Sequence, residues 1–333
     1  AILVYLPAVL LSKAAPQLVV EQPVDTPLVP RKVVAWGDNY NGQTTVPAGL
    51  TNVQAIAAGS SHSLALRSDG TVVAWGFNSE GQTVFPADLR GVRAISAGGR
   101  HSLALKDDGV MVVVGFNNFG TGLPAGEGSI KEVAAGGTFS MAAKTDGTLR
   151  VWGGIGLLNL PAGVSGVDTI AAGYAHAMAL LKDGRVAVWG SNFKGQRVVP
   201  AGLEGVQSIT AGWNHNLALK RDGTIVGWGD NFRGQASAPA GLTNVHSLAA
   251  GVEHSVALRR DGTVMAWGNN TYGESSVPAG LTGVQAIAAG ASHTLALTGS
   301  TVEFAPSEVG ATGESKTFKL RNTGSRSEEH TSE

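Results

Sequence analysis

The 333 residues suffice for one large or two ordinary domains, and 24 Lys and Arg nearly balance 25 Asp and Glu. That balance gives no electrostatic reason to expect nucleic acid or an anionic membrane as a partner. The absence of cysteine excludes disulfides, thiolate chemistry and cysteine-ligated metals, and the 47 glycines, about twice the average share, indicate many tight turns.

The N-terminal segment contains an apolar run over residues 1–11, which is too short to span a bilayer. The run resembles the hydrophobic part of a secretory signal that lacks its basic start, and an arbitrary fragment start explains it equally well. Residues 17–31, with prolines at 23, 27 and 30, predict an extended linker. We therefore place residues 1–31 outside the predicted folded domain.

Internal repetition organises the rest of the chain, because the motif VxAWG recurs every 37–39 residues and a histidine keeps the same interval. The repeated tryptophans are Trp36, Trp75, Trp152, Trp189, Trp228 and Trp267, with Val114 in the remaining slot. The repeated histidines are His62, His101, His176, His215, His254 and His293, with Phe139 in the remaining slot. The chain therefore contains seven units.

Each unit contains four short segments with strand character, which in the first complete unit are VQAIAAG, HSLAL, TVVAWG and QTVFP. The fourth segment predicts a weak edge strand that ends at a proline. An Asp-Gly pair between the second and third segments supplies the positive φ of a tight hairpin turn. Four antiparallel strands per repeat, without any helical period, predict an all-β fold and a seven-bladed β-propeller of ~39-residue repeats.

The phase of the repeat predicts how the ring closes. Complete four-segment sets begin at Val53, Val92, Ile130, Val167, Val206 and Val245, which gives six blades. Residues 284–297 at one end and 32–47 at the other each supply two of the four segments. We predict that they form the seventh blade together, so that the propeller spans residues 32–300.

The unit VxAWGxNxxGQ…VP…AGxxHslALxxDG resembles the regulator of chromosome condensation repeat, and it is most similar to the compact bacterial form of the propeller-type β-lactamase inhibitory protein. The eukaryotic founder of this family is a nucleotide exchange factor for a small GTPase that also docks on nucleosomes. The resemblance therefore implies exchange or chromatin-type regulation as one alternative function. Inhibition of a β-lactamase is a special case of protein binding, and the loop residues that make contacts in that form differ here.

Two departures from the founder argue against carrying its function over. Its exchange activity relies on a protruding loop insertion, whereas every unit here is minimal at 37–39 residues. Its chromatin binding uses a basic tail, whereas the N-terminal segment here is apolar and proline-rich.

The C-terminal segment divides into two parts. Residues 301–325 contain VEFAP and LRNTGS and are similar to the opening of Ig-like modules of the choice-of-anchor kind, which implies a secreted or surface-displayed parent. Two strands of such a module cannot bury a core alone. Residues 326–333 match the conceptual translation of a common sequencing adapter, and we interpret them as an artefact.

Residues that repeat in every blade are predicted to be structural. We expect the tryptophans to pack between blades, the histidines to bond to backbone carbonyls, and the Asn of each NxxGQ segment to fix its loop. Because radial repetition separates the histidines, they form neither a metal site nor a catalytic triad. We therefore predict no enzyme activity, no cofactor and no metal.

The residues that do not repeat point to a binding face. Antiparallel strands place the AGxxH and NxxGQ loops on one face, and ten of the eleven aromatic residues that lie between residues 32 and 300 outside the WG pairs fall in these loops. Aromatic and arginine side chains on one rim are typical of a protein-binding hot spot, and simple packing under the loops is the alternative. The candidate partner-binding residues are Tyr40, Tyr174, Phe193, Trp213, Phe232, Tyr272, Arg100 and Arg233.

The hypothesis from sequence is a non-enzymatic, monomeric binding module of a secreted or surface bacterial protein, with a protein as its partner. We expect no nucleic acid partner and no membrane insertion by the propeller. A glycan-binding lectin is an alternative, because the same aromatic residues stack on sugar rings. The third and fourth units are irregular, since VVVGFNNFGTGLP lacks the Trp and WGGIGLLNLP lacks the NxxGQ loop, and the sequence leaves open whether this is drift or a groove.

Overall fold

A computed structural model describes residues 31–116, 129–154 and 159–299, together with the backbone of two short strands. These two strands, Leu18–Val20 and Leu320–Asn322, pair antiparallel. The predicted signal-like, linker, Ig-like and adapter-derived segments otherwise lie outside the described residues. The described part of the chain contains no helix, and therefore no helix that spans a membrane.

The propeller consists of seven three-stranded antiparallel sheets, which confirms the predicted all-β class. Their strands are Val53–Ala58, His62–Arg67 and Val72–Gly76 in blade 1; Val92–Ala97, His101–Lys106 and Met111–Gly115 in blade 2; Ile130–Ala135, Phe139–Lys144 and Leu149–Gly153 in blade 3; Val167–Ala172, His176–Leu181 and Val186–Gly190 in blade 4; Val206–Ala211, His215–Lys220 and Ile225–Gly229 in blade 5; Val245–Ala250, His254–Arg259 and Val264–Gly268 in blade 6; Val284–Ala289, His293–Thr298 and Lys32–Gly37 in blade 7.

The middle strand of each blade is buried on both faces. In His62–Arg67, for example, the first five residues are buried and Leu64 and Leu66 have no exposed surface. Its side chains point alternately toward the two neighbouring blades, so each blade is covered on both sides. This arrangement explains why HSLAL is apolar and combines large with small residues.

Where the structure describes the fourth segment of a repeat, this segment is not a strand, so the prediction of four strands per blade is wrong there. In the first copy the N–H of Thr45 donates to the carbonyl of Gly42 at 3.0 Å, and the N–H of Val46 to that of Thr44 at 3.0 Å. The N–H of Thr44 donates to the side-chain oxygen of Asn39 at 3.0 Å. Because these backbone groups are used within local turns, they cannot extend the sheet.

Blade 7 combines strands from the two ends of the repeat region. Lys32–Gly37 pairs antiparallel with His293–Thr298 over six residue pairs, from Lys32 opposite Thr298 to Gly37 opposite His293. Val284–Ala289 pairs with the other edge of His293–Thr298. The N-terminal strand is therefore the outer strand of the last sheet.

A circle of backbone hydrogen bonds joins the AGxxH loops around the central channel. From each loop an N–H donates to a carbonyl of the next blade: Ser60 to Gly98 (3.1 Å), Gly99 to Gly136 (2.9 Å), Gly137 to Tyr174 (3.0 Å), Tyr174 to Trp213 (3.3 Å), Trp213 to Gly251 (3.0 Å), Val252 to Ala291 (3.1 Å) and Ala291 to Gly59 (3.3 Å). The last bond returns to blade 1. Glycine is required where blades approach closely, since a Cβ on Gly59 would lie 2.6 Å from the carbonyl oxygen of Gly98.

Deletion of residues 32–50 is expected to destabilise the fold strongly. It removes the outer strand of blade 7 and the buried side chains of Trp36 and Leu50. Those two side chains alone account for roughly 4 kcal/mol of apolar burial. Urea unfolding should show a midpoint far below that of the full chain, whereas Tyr40→Ser, at an exposed position of the same segment, should leave it unchanged. Equal midpoints for the deletion and the full chain would contradict this closure.

Candidate partner-binding face

The AGxxH and NxxGQ loops lie on the same face of the propeller, as predicted. His62 pairs with Gly76, so the loop before the second strand and the loop after the third strand leave the sheet together. A backbone hydrogen bond joins the two loops in each regular blade, such as Phe77 N–H to Ser61 O at 2.8 Å and Asp230 N–H to Asn214 O at 2.9 Å. We call this side the loop face, and the side of the Asp-Gly turns the turn face.

The NxxGQ loops are held by their own amide side chains. The Oδ1 of Asn192 accepts from the N–H of Arg197 at 2.9 Å, and the Oε1 of Gln196 accepts from the N–H of Lys194 at 2.7 Å. Equivalent bonds occur at Asn39, Asn78, Asn231 and Asn270. The predicted role of the asparagines is confirmed for these copies, and Asn117 lies outside the described residues. Because side chains fix the backbone, these loop tips are firmly positioned.

The carbonyl of each loop glutamine links its blade to the next one. The Gln43 carbonyl accepts from Trp75 Nε1 at 2.9 Å and from Ser63 Oγ at 2.8 Å, both in blade 1. Trp75 also packs against Leu295 and Leu297 of blade 7. The tryptophans are therefore interblade packing residues, as predicted. No role was predicted for the buried glutamines, although the recurrence of Gln43, Gln82, Gln196 and Gln235 at the same position of four units was a signal for one.

Each repeated histidine bonds to a polar side chain of the following blade, which corrects the prediction of a backbone carbonyl partner. The Nε2 distances are 2.9 Å to Ser102 from His62, 3.0 Å to Ser140 from His101, 2.7 Å to Asn216 from His176, 2.9 Å to Ser255 from His215, 3.0 Å to Thr294 from His254, and 3.1 Å to Ser63 from His293. The hydroxyl of Ser102 donates to the Gln82 carbonyl at 2.8 Å, so it accepts from the imidazole N–H.

Burial keeps these imidazoles neutral. Desolvation is the main cause that lowers the pKa to about 4 for His62, His101 and His254 and to about 3 for His215 and His293. It also lowers the pKa of His176. The Nε2 partners of these rings are serine, threonine and asparagine side chains, and each ring lies at a different interface between blades. The arrangement is a structural ladder around the ring.

The interface between blades 3 and 4 departs from this ladder. Phe139 occupies the histidine slot, and the matching position in blade 4 is Ala177 instead of a polar residue. The buried Trp189 Nε1 has no hydrogen-bond partner among the described residues, unlike its equivalent in blade 1. The carboxyl of Glu132 instead accepts from Thr169 Oγ1 at 3.0 Å, and burial raises its pKa to about 8. At this interface both members of the usual hydrogen-bonded pair, the histidine and its polar partner, are therefore replaced by apolar residues.

The Asp-Gly turns are structural, as predicted. The Oδ1 of Asp69 accepts from the N–H of Thr71 at 2.9 Å, and Gly70 has a φ of 75°. This arrangement recurs at Asp108, Asp146, Asp183, Asp222 and Asp261. These turns lie on the turn face, away from the predicted site.

Four of the predicted partner-binding residues lie at the tips of NxxGQ loops in four consecutive blades. The exposed fractions are 94% for Phe193 in blade 4, 79% for Phe232 in blade 5, 59% for Tyr272 in blade 6 and 92% for Tyr40 in blade 7. The loop of blade 1 has a small polar residue, Ser79, at the position of Tyr40. The exposed rings therefore form an arc over blades 4–7.

Two further predicted residues lie at the mouth of the central channel. The rings of Tyr174 and Trp213, from the AGxxH loops of blades 4 and 5, stack with a centroid distance of 4.1 Å and an interplanar angle of 22°. The Tyr174 ring also covers Gly137 of blade 3, where a Cβ would lie 2.6 Å from its Cδ2 atom. Small residues occupy the equivalent positions of blades 1, 2, 3 and 7, so this inner aromatic pair lies off the axis.

The charged residues of the loop face form pairs between neighbouring blades. Lys194 lies 3.6 Å from Asp230, and Arg233 lies 3.5 Å from Glu253. The guanidinium of Arg233 also lies 5.2 Å from the ring centroid of Phe232. The eighth predicted residue, Arg100 of blade 2, lies 3.7 Å from Glu80 of blade 1. The structure thus places seven predicted residues over blades 4–7 and separates Arg100 from them.

The other described aromatic residues of the loops are less exposed than those at the loop tips. Phe139 is buried as the first residue of a middle strand, Phe116 is partly buried, and Phe77 is 36% exposed beside its glycine. Phe119 lies outside the described residues. The aromatic residues at the loop tips are the most exposed of the described ones, and they remain candidates for binding together with the stacked pair at the channel mouth.

The fold is a β-propeller whose blades are linked by their own loop residues, and several of its repeats match a known repeat model. Five repeats match the Regulator of chromosome condensation (RCC1) repeat, over residues 53–82, 92–121, 167–196, 206–235 and 245–274. The matching repeats support an RCC1-repeat propeller. No curated protein matches the sequence. The resemblance to the compact bacterial form and to an Ig-like module stays a prediction.

Several solved structures share this fold. Prp20p from Saccharomyces cerevisiae is 19% identical, with a TM-score of 0.69 over 81% of this chain and 91% of that one. Human WBSCR16 is 18% identical, with a TM-score of 0.69 over 80% and 100%. The CRINKLY WD40 ectodomain of the Arabidopsis thaliana receptor kinase ACR4 is 21% identical, with a TM-score of 0.53 over 65% and 79%. At these identities the likeness shows the fold alone.

Restoring the ladder between blades 3 and 4 is expected to stabilise the protein. Phe139→His combined with Ala177→Ser should raise the free energy of unfolding by about 1 kcal/mol, because it recreates a buried hydrogen bond. Phe139→His alone should lower it by roughly 1–3 kcal/mol, because the new ring N–H lacks an acceptor. Urea unfolding of both single variants and the double variant measures the coupling. If the changes in unfolding free energy of the two single variants simply add up in the double variant, the two residues are not energetically coupled.

Stability is expected to fall steeply below pH 6.5. The unfolded chain protonates these histidines near pH 6.5, whereas five buried rings resist protonation until pH 3–4. Unfolding therefore takes up protons in this window, and each histidine costs about 1.4 kcal/mol per pH unit. Glu132 contributes a pH dependence of the opposite sign above pH 4.5, because its pKa is raised in the folded protein, but this single group does not outweigh five histidines.

The measurement is urea unfolding at pH 7.5, 6.5 and 5.5. His254→Gln should reduce the slope of stability against pH, because it removes one of the titrating groups. Constant stability between pH 7.5 and 5.5 would contradict the neutral ladder.

Proposed function

We propose that this propeller is a non-enzymatic recognition module that binds another protein through its loop face. The observation that carries the proposal is the arc of four exposed aromatic side chains at the loop tips of blades 4–7. Exposure of large aromatic rings to water is unfavourable in free energy, and clusters of exposed aromatic rings are typical of binding hot spots. Arg233 beside Phe232 adds the other residue type enriched at such sites.

The rigidity of the loops supports the same function. The loop of blade 5 is held by Asn231, which accepts from the N–H of Ala236, and by Gln235, which accepts from the N–H of Arg233. Phe232 therefore projects from a backbone that is ordered before any partner arrives. Binding to an ordered loop loses less conformational entropy than binding to a flexible one.

The non-enzymatic part of the proposal is supported by the state of the repeated polar residues. The histidines are buried and bonded to neighbouring blades, and the turn aspartates are bonded within their own turns. Both sets of groups are engaged in hydrogen bonds that hold the scaffold, and the histidines are in addition closed off from solvent.

A protein of similar fold also binds other proteins. The structure of Prp20p was described together with its binding properties to Gsp1p and histones, and a second structure has Kap60 bound to Prp20. These partners are proteins, and at 18–19% identity they indicate no particular partner for this chain.

We further propose a location outside a bacterial cell, for which the support is the signal-like run and the similarity of residues 301–325 to surface modules.

The loop face is tested by comparing two variants of the full chain. Trp213→Ala with Phe232→Ala should weaken a retained protein ligand at least tenfold, because both rings lie on the loop face. Val110→Ser removes an exposed apolar side chain on the turn face and is expected to leave binding unchanged. Immobilised wild type and variants are probed with a displayed library of protein fragments and with a glycan array.

Equal binding by the double variant and the wild type would refute the assignment of the loop face. Retention of glycans alone would favour the lectin alternative over a protein partner. Circular dichroism of both variants verifies that the propeller remains folded.

A further inference from the structure

We propose that the partner contributes an uncharged, apolar polypeptide segment that lies over blades 4 and 5, from the outer loops to the channel mouth. This inference rests on the proposed function and specifies the chemistry of the partner and its place on the loop face. It is carried by the distribution of the rings, by the pairing of the charges and by the use of the polar side chains in these two blades.

Blades 4 and 5 are the described blades that carry both an inner and an outer aromatic residue. Blade 4 has Tyr174 at the channel mouth and Phe193 at the loop tip, and blade 5 has Trp213 and Phe232 in the same positions. In blades 6 and 7 the inner positions are Val252 and Ala291, so their outer rings have no aromatic neighbour nearer the axis. The apolar surface is therefore deepest over blades 4 and 5.

The inner and outer residues of this sector are rigidly connected. Tyr174 and Trp213 stack across the blade boundary at 4.1 Å. The N–H of Ser191 donates to the carbonyl of Ala175 at 2.8 Å, which ties the outer loop of blade 4 to its inner loop. A partner thus meets one preformed surface that reaches from the rim to the channel.

The charges at the loop tips of this sector are paired with neighbouring charges. Lys194, Asp230 and Arg233 lie in the NxxGQ loops of blades 4 and 5, and the exposed Arg197 follows Gln196 at the end of the blade 4 loop. Lys194 pairs with Asp230 at 3.6 Å, and Arg233 pairs with Glu253 of blade 6 at 3.5 Å. A charged partner would have to break these pairs, whereas an uncharged partner leaves them in place. The surface therefore selects for a neutral contact.

The side-chain amide oxygens that a glycan could use in this sector are also occupied. At Asn192, Gln196, Asn214, Asn231 and Gln235 they accept hydrogen bonds within a loop or, for Asn214, from the loop of the neighbouring blade. Sugar rings carry many hydroxyl groups, and a site that binds them places free polar groups to match. Apolar side chains of a polypeptide make no such demand, so the sector fits a protein segment better than a glycan.

The experiment uses displayed peptide libraries of two kinds, one limited to uncharged residues and one rich in Asp, Glu, Lys and Arg, with the full chain as target. Enriched peptides are measured at 50 and 500 mM NaCl. Binding is then compared for Phe193→Ser with Phe232→Ser and for the matched control Tyr272→Ser with Tyr40→Ser. Both pairs remove exposed loop-tip rings, but from different sectors of the same arc.

We expect enrichment from the uncharged library, less than a threefold change in affinity between the two salt concentrations, and at least a tenfold loss in the blade 4 and 5 pair. The control pair should lose less than threefold. Enrichment from the charged library alone, a tenfold loss of affinity in high salt, no enrichment of uncharged peptides, or a greater loss in the control pair would each overturn this inference.

The two proposals fail in different ways. Peptides that bind every loop-face variant as tightly as the wild type would overturn the proposed function itself. Charged, salt-sensitive peptides that still require loop-face rings would overturn only the inference about an uncharged segment.

Discussion

The bond on which the structure depends most is the one from a loop glutamine carbonyl to the next blade. In the first copy the Gln43 carbonyl accepts both Trp75 Nε1 and Ser63 Oγ, and the same serine is bonded by His293 of the preceding blade. One buried carbonyl thereby connects a loop, an indole, a hydroxyl and an imidazole across two blades. A propeller has no single core, so its blades must be held to each other pairwise, and this network does so in a dry environment.

The same network explains why the loop face is available for binding. Because the glutamine main chain fastens the loop from below and its side chain orders the loop from within, the two residues between Asn and Gly are free to vary. Tyr40, Phe193, Phe232 and Tyr272 all lie at these two positions. Different residues of this six-residue loop therefore stabilise the fold and contact the proposed partner. The contact residues can change without loss of stability.

Departures from the repeat carry as much information as the repeat itself. Phe139 and Ala177 replace a bonded pair by an apolar one, which avoids leaving a buried polar group without a partner. Glu132 and Trp189 lie at the same interface, one with a raised pKa and the other with an unbonded indole N–H within the described residues. Blades 4 and 5, next to this interface, carry the densest aromatic surface.

The period of the sequence determined the number of blades, the strand phase and the structural roles of Trp, Asp and Asn, because identical residues at identical spacing must have identical environments in a ring. It did not determine the fourth strand, since local turn bonds compete with sheet bonds for the same N–H groups. The partners of the histidines also required the structure, because His62 and Ser102 are 40 residues apart and meet only when blades pack. Likewise, the sequence identified the aromatic candidates, but only tertiary structure placed Phe139 inside, stacked Tyr174 on Trp213 and paired Arg233 with Glu253.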